Sequence, residues 1–206
     1  MKGSAPLAQR LALCGLATLC GVLVPGRAEA HLVTTGLGPV YDGISHVLMS
    51  PDDLVPILAM SFLAGLNGPR AGRVTLFSLT VAWLAAGAAG FLFGRTVLPV
   101  AVTSASFLIL GGLTAADRRL SPAVVTGLAV AVGLLHGWMN GASIAESGRS
   151  ALGLVGIGAT VFVCVSLVSA LVIVLRAAWL RIAVRVAGSW VAAIGLLMIG
   201  WAVRGR

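Results

Sequence analysis

The sequence predicts an all-α membrane protein, a polytopic bundle of six transmembrane helices with the first one broken near Ser50-Pro51. Three observations carry this. Of the 206 residues 59% are apolar and only 10% charged, and the mean hydropathy is +1.05, whereas a soluble domain carries about a quarter charged residues. The apolar residues gather into runs of about the 20 residues that a bilayer crossing needs, separated by Arg-bearing connectors. The runs lack the alternation of barrel strands, and an open sheet cannot satisfy its backbone in lipid, so helices remain. This composition excludes a disordered chain, a conventional cytosolic enzyme and a nucleic-acid binder. The net charge of +8 comes from Arg residues scattered between apolar runs, where they read as membrane-flanking charges rather than a nucleic-acid surface.

The first segment, 1–30, reads as a cleaved secretory signal peptide. Lys2 and Arg10 make a basic start, and Leu11 to Val24 is short for a span. Pro25-Gly26 breaks it, and Ala28-Glu29-Ala30 supplies the small-x-small cleavage pattern. Cleavage after Ala30 makes His31 the new N-terminus. The competing reading is an uncleaved first membrane helix. Removal takes away three basic residues, one acidic residue, Cys14 and Cys20, and leaves Cys164 alone in an apolar run, where packing is its expected role.

Residues 31–206 form a single membrane domain with spans expected near 37–66, 74–93, 97–113, 122–140, 151–175 and 183–203. With His31 outside, the alternating connectors place Arg70, Arg73, Arg118, Arg119, Arg176, Arg181 and Arg185 inside, and Arg95, Arg149, Arg204 and Arg206 outside. Seven against four agrees with the positive-inside rule. The expected location is a bacterial inner membrane, multi-pass, with both ends of the mature chain on the periplasmic side. The spans are rich in small residues. Ala85 to Gly90 is one unbroken run, and Gly133, Gly137 and Gly141 form a ridge that lets helix backbones approach closely.

Functional signal concentrates in polar residues that apolar segments exclude. An ionised Asp at the bilayer centre costs about 2.5–3.5 kcal/mol on insertion scales, yet Asp42, His46, Asp52 and Asp53 fall within one span. On a continuous helix His46 and Asp53 lie about 10 Å apart. However, Ser50-Pro51-Asp52-Asp53 has the form of a helix start, with Ser at the N-cap, Pro at N1 and acids in the first turn. A half-helix ending near Met49 and a second beginning near Ser50 would fold His46 back toward the acid pair, the way discontinuous helices build ion sites. The simpler reading of Asp52 and Asp53 is that they offset the helix dipole, and of Asp42 that it is interfacial. A second cluster is His136-Gly137-Trp138-Met139-Asn140, whose His136 and Asn140 share a helix face at i and i+4. His136 reads equally as an interhelical hydrogen-bonding residue. Trp138 is expected to be an interfacial anchor. Glu146, in the following loop, is expected to pair with Arg149 in solvent.

The clusters resemble each other. Gly43-x-x-His46-x-x-Met49-Ser50 aligns with Gly133-x-x-His136-x-x-Met139-Asn140 at an offset of 90 residues. Three spans per half would make the halves inverted, a known transporter plan.

A signal followed by His31, Gly43-x-x-His46-x-Leu48-x-x-x-Asp52 in the first span and Leu135-His136-Gly137-x-x-x-Gly141 in the fourth together resemble the HupE/UreJ family, small bacterial membrane proteins linked to hydrogenase and urease maturation. The resemblance implies a secondary permease for nickel or cobalt. Against the family's first-span motif, roughly His-Pro-Leu-x-Gly-x-Asp-His, His46, Leu48 and Asp52 match, while Val47, Ser50 and Asp53 replace Pro, Gly and the second His. Against the later motif, roughly His-Gly-x-x-His-Gly-x-Glu, His136, Gly137 and Gly141 match, while Asn140 and Ser143 replace the second His and the Glu. Trading imidazoles for oxygen ligands moves the site toward harder ions.

The expected metal-binding residues are therefore His46, Asp52, Asp53, His136 and Asn140, with His31, Asp42 and Glu146 as further candidates. No permanent cofactor and no catalytic residue is expected. The cargo would be a divalent transition metal, Ni2+ first, with Co2+ or another such metal as alternatives. Expected partners are the metal ion and the lipid bilayer, with a homo-oligomer or a maturation-system partner left open. The alternative is an accessory protein for metalloenzyme maturation that moves nothing. An intramembrane hydrolase ranks below both, since neither His-Glu-x-x-His nor Gly-x-Ser-x-Gly occurs.

Overall fold

The computed structural model describes residues 34–94 and 99–204, and among these there are helices and no strands. The expected signal segment and His31 lie outside the described residues. The helices are α1 (Pro39–Met49), α2 (Pro51–Leu66), α3 (Pro69–Phe93), α4 (Val100–Ala115), α5 (Pro122–Glu146), α6 (Gly153–Val174) and α7 (Ala178–Arg204). Four of them open on proline. This follows from the first helical position, where the missing N–H has no partner to lose and the fixed φ suits the helix. At Gly68, which precedes α3, φ is +97°, a conformation that an L side chain rarely adopts.

The expected break in the first span is present. α1 and α2 meet at Ser50 with a bend of 73°. Ser50 takes an extended backbone (φ −101°, ψ 101°), and its carbonyl accepts from the N–H groups of Asp53 and Leu54, starting α2. The hydroxyl departs from expectation. It does not cap the helix and instead lies 3.4 Å from His46 Nδ1.

α3, α5, α6 and α7 are each long and apolar enough to cross a membrane, and the bent pair passes the same test taken together, as a broken span or a re-entrant loop. The sixth expected span is α4. It has 16 residues, or about 24 Å at 1.5 Å per residue, less than the ~30 Å hydrocarbon thickness. Span ends also shift. α5 runs on to Glu146 rather than stopping near 140, so Asn140 sits inside a helix and Glu146 in its last turn rather than in a loop. The Gly-rich sequence there continues the helix because its glycines are packed against a neighbour.

That packing is specific. A Cβ on Gly137 would collide with the Trp83 carbonyl, one on Gly141 with the Gly87 carbonyl and one on Gly90 with the Trp138 carbonyl. The small-residue surfaces of α3 and α5 thus face each other at backbone contact. Such contact substitutes for a hydrophobic driving force that lipid does not supply. The bent pair packs in the same way on α6, through Gly43 against Gly153 and Gly156 against Val40. α4 packs on α7 through Gly111, Gly188 and Gly195.

With α1–α2 as one span, the second span pairs with the fourth, the first with the fifth and the third with the sixth. This pattern maps onto itself when the two three-span halves are exchanged, in keeping with the 90-residue offset between the His clusters. α7 is peripheral. Of its residues only Gly188 and Gly195 are buried, while Trp179, Trp190 and Trp201 project outward as residues facing lipid do. α2 lies at the centre, with Ile57, Met60 and Leu63 fully buried.

Candidate functional site

Most hydroxyls inside the bundle are satisfied by their own helix. Ser61, Thr80, Ser104, Thr160 and Ser169 each donate to the carbonyl four residues back. One group of polar side chains is different, because its partners come from other helices. It centres on Asp53 in the first turn of α2, which is 5% exposed.

Three side chains converge on the Asp53 carboxylate. His46 of α1 brings Nε2 to 3.3 Å from Oδ2. His136 of α5 brings Nδ1 to 3.4 Å from Oδ1. Asn140, one turn along α5, donates its amide N–H to Oδ2 at 2.9 Å. The 73° bend makes the first contact possible by turning a seven-residue separation from two turns of helix into a corner. The other two follow from the i, i+4 spacing, which sets His136 and Asn140 on the face of α5 that meets α2.

The far nitrogens of both imidazoles are also engaged. His46 Nδ1 faces the Ser50 hydroxyl, and His136 Nε2 lies 3.1 Å from Ser106 Oγ on α4. The Ser106 hydroxyl donates its proton to the Thr103 carbonyl at 2.6 Å, so toward His136 Nε2 it is an acceptor. Trp83 of α3 completes the group. Its indole N–H donates to Asn140 Oδ1 at 3.2 Å, and its ring stacks on His136 with centroids 5.5 Å apart and planes 23° apart. Each of the first five helices thus supplies at least one side chain.

Among the residues expected from sequence, the structure brings together His46, Asp53, His136 and Asn140. It leaves out Asp52, which is exposed, because neighbours on a helix point about 100° apart and only one of an acid pair can face the core. Asp42 is engaged elsewhere, its Oδ1 accepting from the Thr35 N–H at 2.6 Å and hydroxyl at 2.7 Å. Glu146 is exposed at the end of α5. Asn140 enters with its oxygen already held by Trp83, so its face toward Asp53 is a donor. Among the described residues, no three or more His, Cys, Asp and Glu side chains are disposed as they stand to hold a metal ion. The cluster is closed by its own hydrogen bonds and His–carboxylate contacts.

Sequence reasoning missed Trp83 and Ser106. Trp83 lies in an apolar stretch, and Ser106 is one of three hydroxyls in Thr103-Ser104-Ala105-Ser106, with nothing in the sequence to set it apart from the other two. The one available signal for Trp83 is its indole N–H, a donor that needs a partner when the ring is fully buried.

Next to this cluster is a cavity of about 180 Å³ bounded by Thr34, Asp42, Gly43, Ile144, Arg149 and Ser150. Asp42 precedes His46 by four residues on α1 and Ile144 follows Asn140 by four on α5. The cavity therefore stands one helical turn from the cluster.

The HupE / UreJ protein family model matches residues 18–198 of the chain. No curated protein and no solved structure matches it.

Proposed function

Since the chain belongs to the HupE/UreJ family, whose role is that of membrane accessory or nickel/cobalt transport proteins, we propose that this multi-pass membrane protein is a secondary permease for a divalent transition metal. In this reading His46, Asp53 and His136 form its intramembrane site. The observation that carries it is the meeting of two imidazoles on one buried carboxylate, drawn from helices 83 residues apart in sequence (Asp53 to His136). A carboxylate in lipid surroundings is costly, and here it is buried where a dication would be partly neutralised by it.

The donor set suits that cargo. Imidazole favours nickel, cobalt and zinc, while one carboxylate supplies charge. A cation entering would take the His46 Nε2 and His136 Nδ1 lone pairs and an Asp53 oxygen. The ring N–H groups would then lie on the opposite nitrogens, facing the Ser50 and Ser106 hydroxyls. That is the outer support that metal-binding histidines use. Two imidazoles and one carboxylate leave coordination positions open for water, which favours moderate binding and release. In this reading both ends of the mature chain, after signal cleavage, face the periplasmic side of a bacterial inner membrane, in agreement with the Arg distribution between connectors.

The test is nickel and cobalt accumulation in cells expressing wild type, His46→Ala or Asp53→Asn, paired with metal entry into liposomes carrying the purified protein. Wild-type accumulation above vector, lost in both variants, with entry into the lumen, supports the permease. Binding without entry makes the chain a non-transporting accessory protein. Equal accumulation in all three removes the site.

A further inference from the structure

The orientation of the Asn140 amide follows from its neighbours. An indole nitrogen only donates. Trp83 Nε1 lies 3.2 Å from one terminal atom of the Asn140 side chain, so that atom is the oxygen. The NH2 group is then the one that faces Asp53, at 2.9 Å from Oδ2. The opposite assignment would set two donors against each other and a carbonyl oxygen against a carboxylate, in a site where Trp83 is fully buried and Asn140 is 5% exposed.

We infer that Trp83 is a positioning residue of this site. Its N–H locks Asn140 as a hydrogen-bond donor to Asp53, and its ring fixes the plane of His136. The inference rests on the metal-site reading above and deepens it, since it determines which ligands a cation meets. Asn140 holds the carboxylate and is withheld from the cation. The site therefore presents two nitrogens and a carboxylate rather than an additional neutral oxygen.

Two features make Trp83 suited to this. Its backbone is where α5 comes closest, with Gly137 set against the Trp83 carbonyl, so the indole cannot drift relative to the α5 face that carries His136 and Asn140. Its ring also meets His136 at 23°, so rotation of that imidazole away from Asp53 Oδ1 would break the stack. One side chain thus restrains two of the three that converge on the carboxylate.

The experiment uses the full chain in lipid nanodiscs with Co2+ as the probe and calorimetry as the readout, on wild type, Trp83→Phe, Asn140→Ala and the double variant. Outer hydrogen-bond partners of metal ligands are worth about 10–100-fold in affinity. Each single variant is expected to bind about 10-fold more weakly. Because Trp83 acts through Asn140, the double variant should bind about as weakly as Asn140→Ala alone, whereas independent effects would multiply. A Trp83→Phe protein that binds Co2+ like wild type, or a double variant with multiplied losses, overturns the inference while leaving the permease reading intact. Wild-type protein that binds no Co2+ overturns the site reading and this inference with it. If Trp83→Phe does not fold, hydrogen exchange of the five tryptophan indoles in wild type and Asn140→Ala decides. One slowly exchanging indole should become at least about 10-fold faster when its acceptor is removed, and unchanged exchange of all five overturns the lock.

Discussion

His46 and His136 stand on opposite oxygens of one carboxylate, Oδ2 and Oδ1 of Asp53, at 3.3 and 3.4 Å. They occupy matching places in the 90-residue offset between the two halves of the chain. The pseudo-symmetry of the bundle therefore converges on a residue that itself has no symmetric counterpart, since Ser143 occupies the position 90 residues on from Asp53. The two ring nitrogens that face the carboxylate differ, Nε2 of His46 and Nδ1 of His136.

The adjacent acids should separate cleanly. Asp53→Asn is expected to bring metal accumulation down to the vector level, because an amide cannot serve both imidazoles and Asn140 as acceptor. Asp52→Asn should stay close to wild type, since that side chain is exposed. Metal content of whole cells by mass spectrometry checks both. Loss of accumulation in Asp52→Asn alone would mean the exposed acid is the one that matters.

Ser106→Ala removes the hydroxyl from His136 Nε2 and leaves a buried ring nitrogen without that partner, a cost of about 1–3 kcal/mol. A lower melting temperature and weaker Co2+ binding are expected together. Ser104→Ala on the same helix is the comparison, because its hydroxyl only returns to the Val100 carbonyl. It should leave binding unchanged.

The glycine contacts predict opposite signs for two like substitutions. Gly137→Ala forces a methyl group onto the Trp83 backbone. The cost of overpacking, about 1–3 kcal/mol, outweighs the roughly 0.5–1 kcal/mol that alanine gains over glycine in a helix. Gly127→Ala on the same helix meets nothing within 4 Å and should keep that gain. Thermal unfolding in detergent is the measurement, with Gly137→Ala melting below wild type and Gly127→Ala at or above it.

The ion pair between Arg181 and Asp117 (3.5 Å), with both partners about a third exposed, links the start of α7 to the end of α4. Solvent screening limits it to about 0–1 kcal/mol. Asp117→Gly also relieves a φ of +48°, which a non-glycine residue adopts at a cost. The two effects oppose each other, and a near-neutral change in melting temperature is expected. A drop of many degrees would assign the connector a larger role than its exposure suggests.

The sequence by itself determined the class and its punctuation. Apolar run length, scarce charge and proline at a helix start are local properties. They sufficed for a helical membrane bundle and a break at Ser50, and they marked His46, Asp52, Asp53, His136 and Asn140 as candidates without separating one from another. The fourth span runs past residue 140 to Glu146, with Gly141 packed against the Gly87 carbonyl. What tertiary structure alone decided was the choice between neighbours and the direction of each bond. Asp53 turns inward and Asp52 outward, Asn140 donates to Asp53, and Trp83 and Ser106 join from two further helices. These depend on which faces meet across separations of 57 residues for Trp83–Asn140 and 87 for Asn140–Asp53. Helix periodicity fixes the relative angle of side chains within one helix, but only packing against another helix fixes where that angle points.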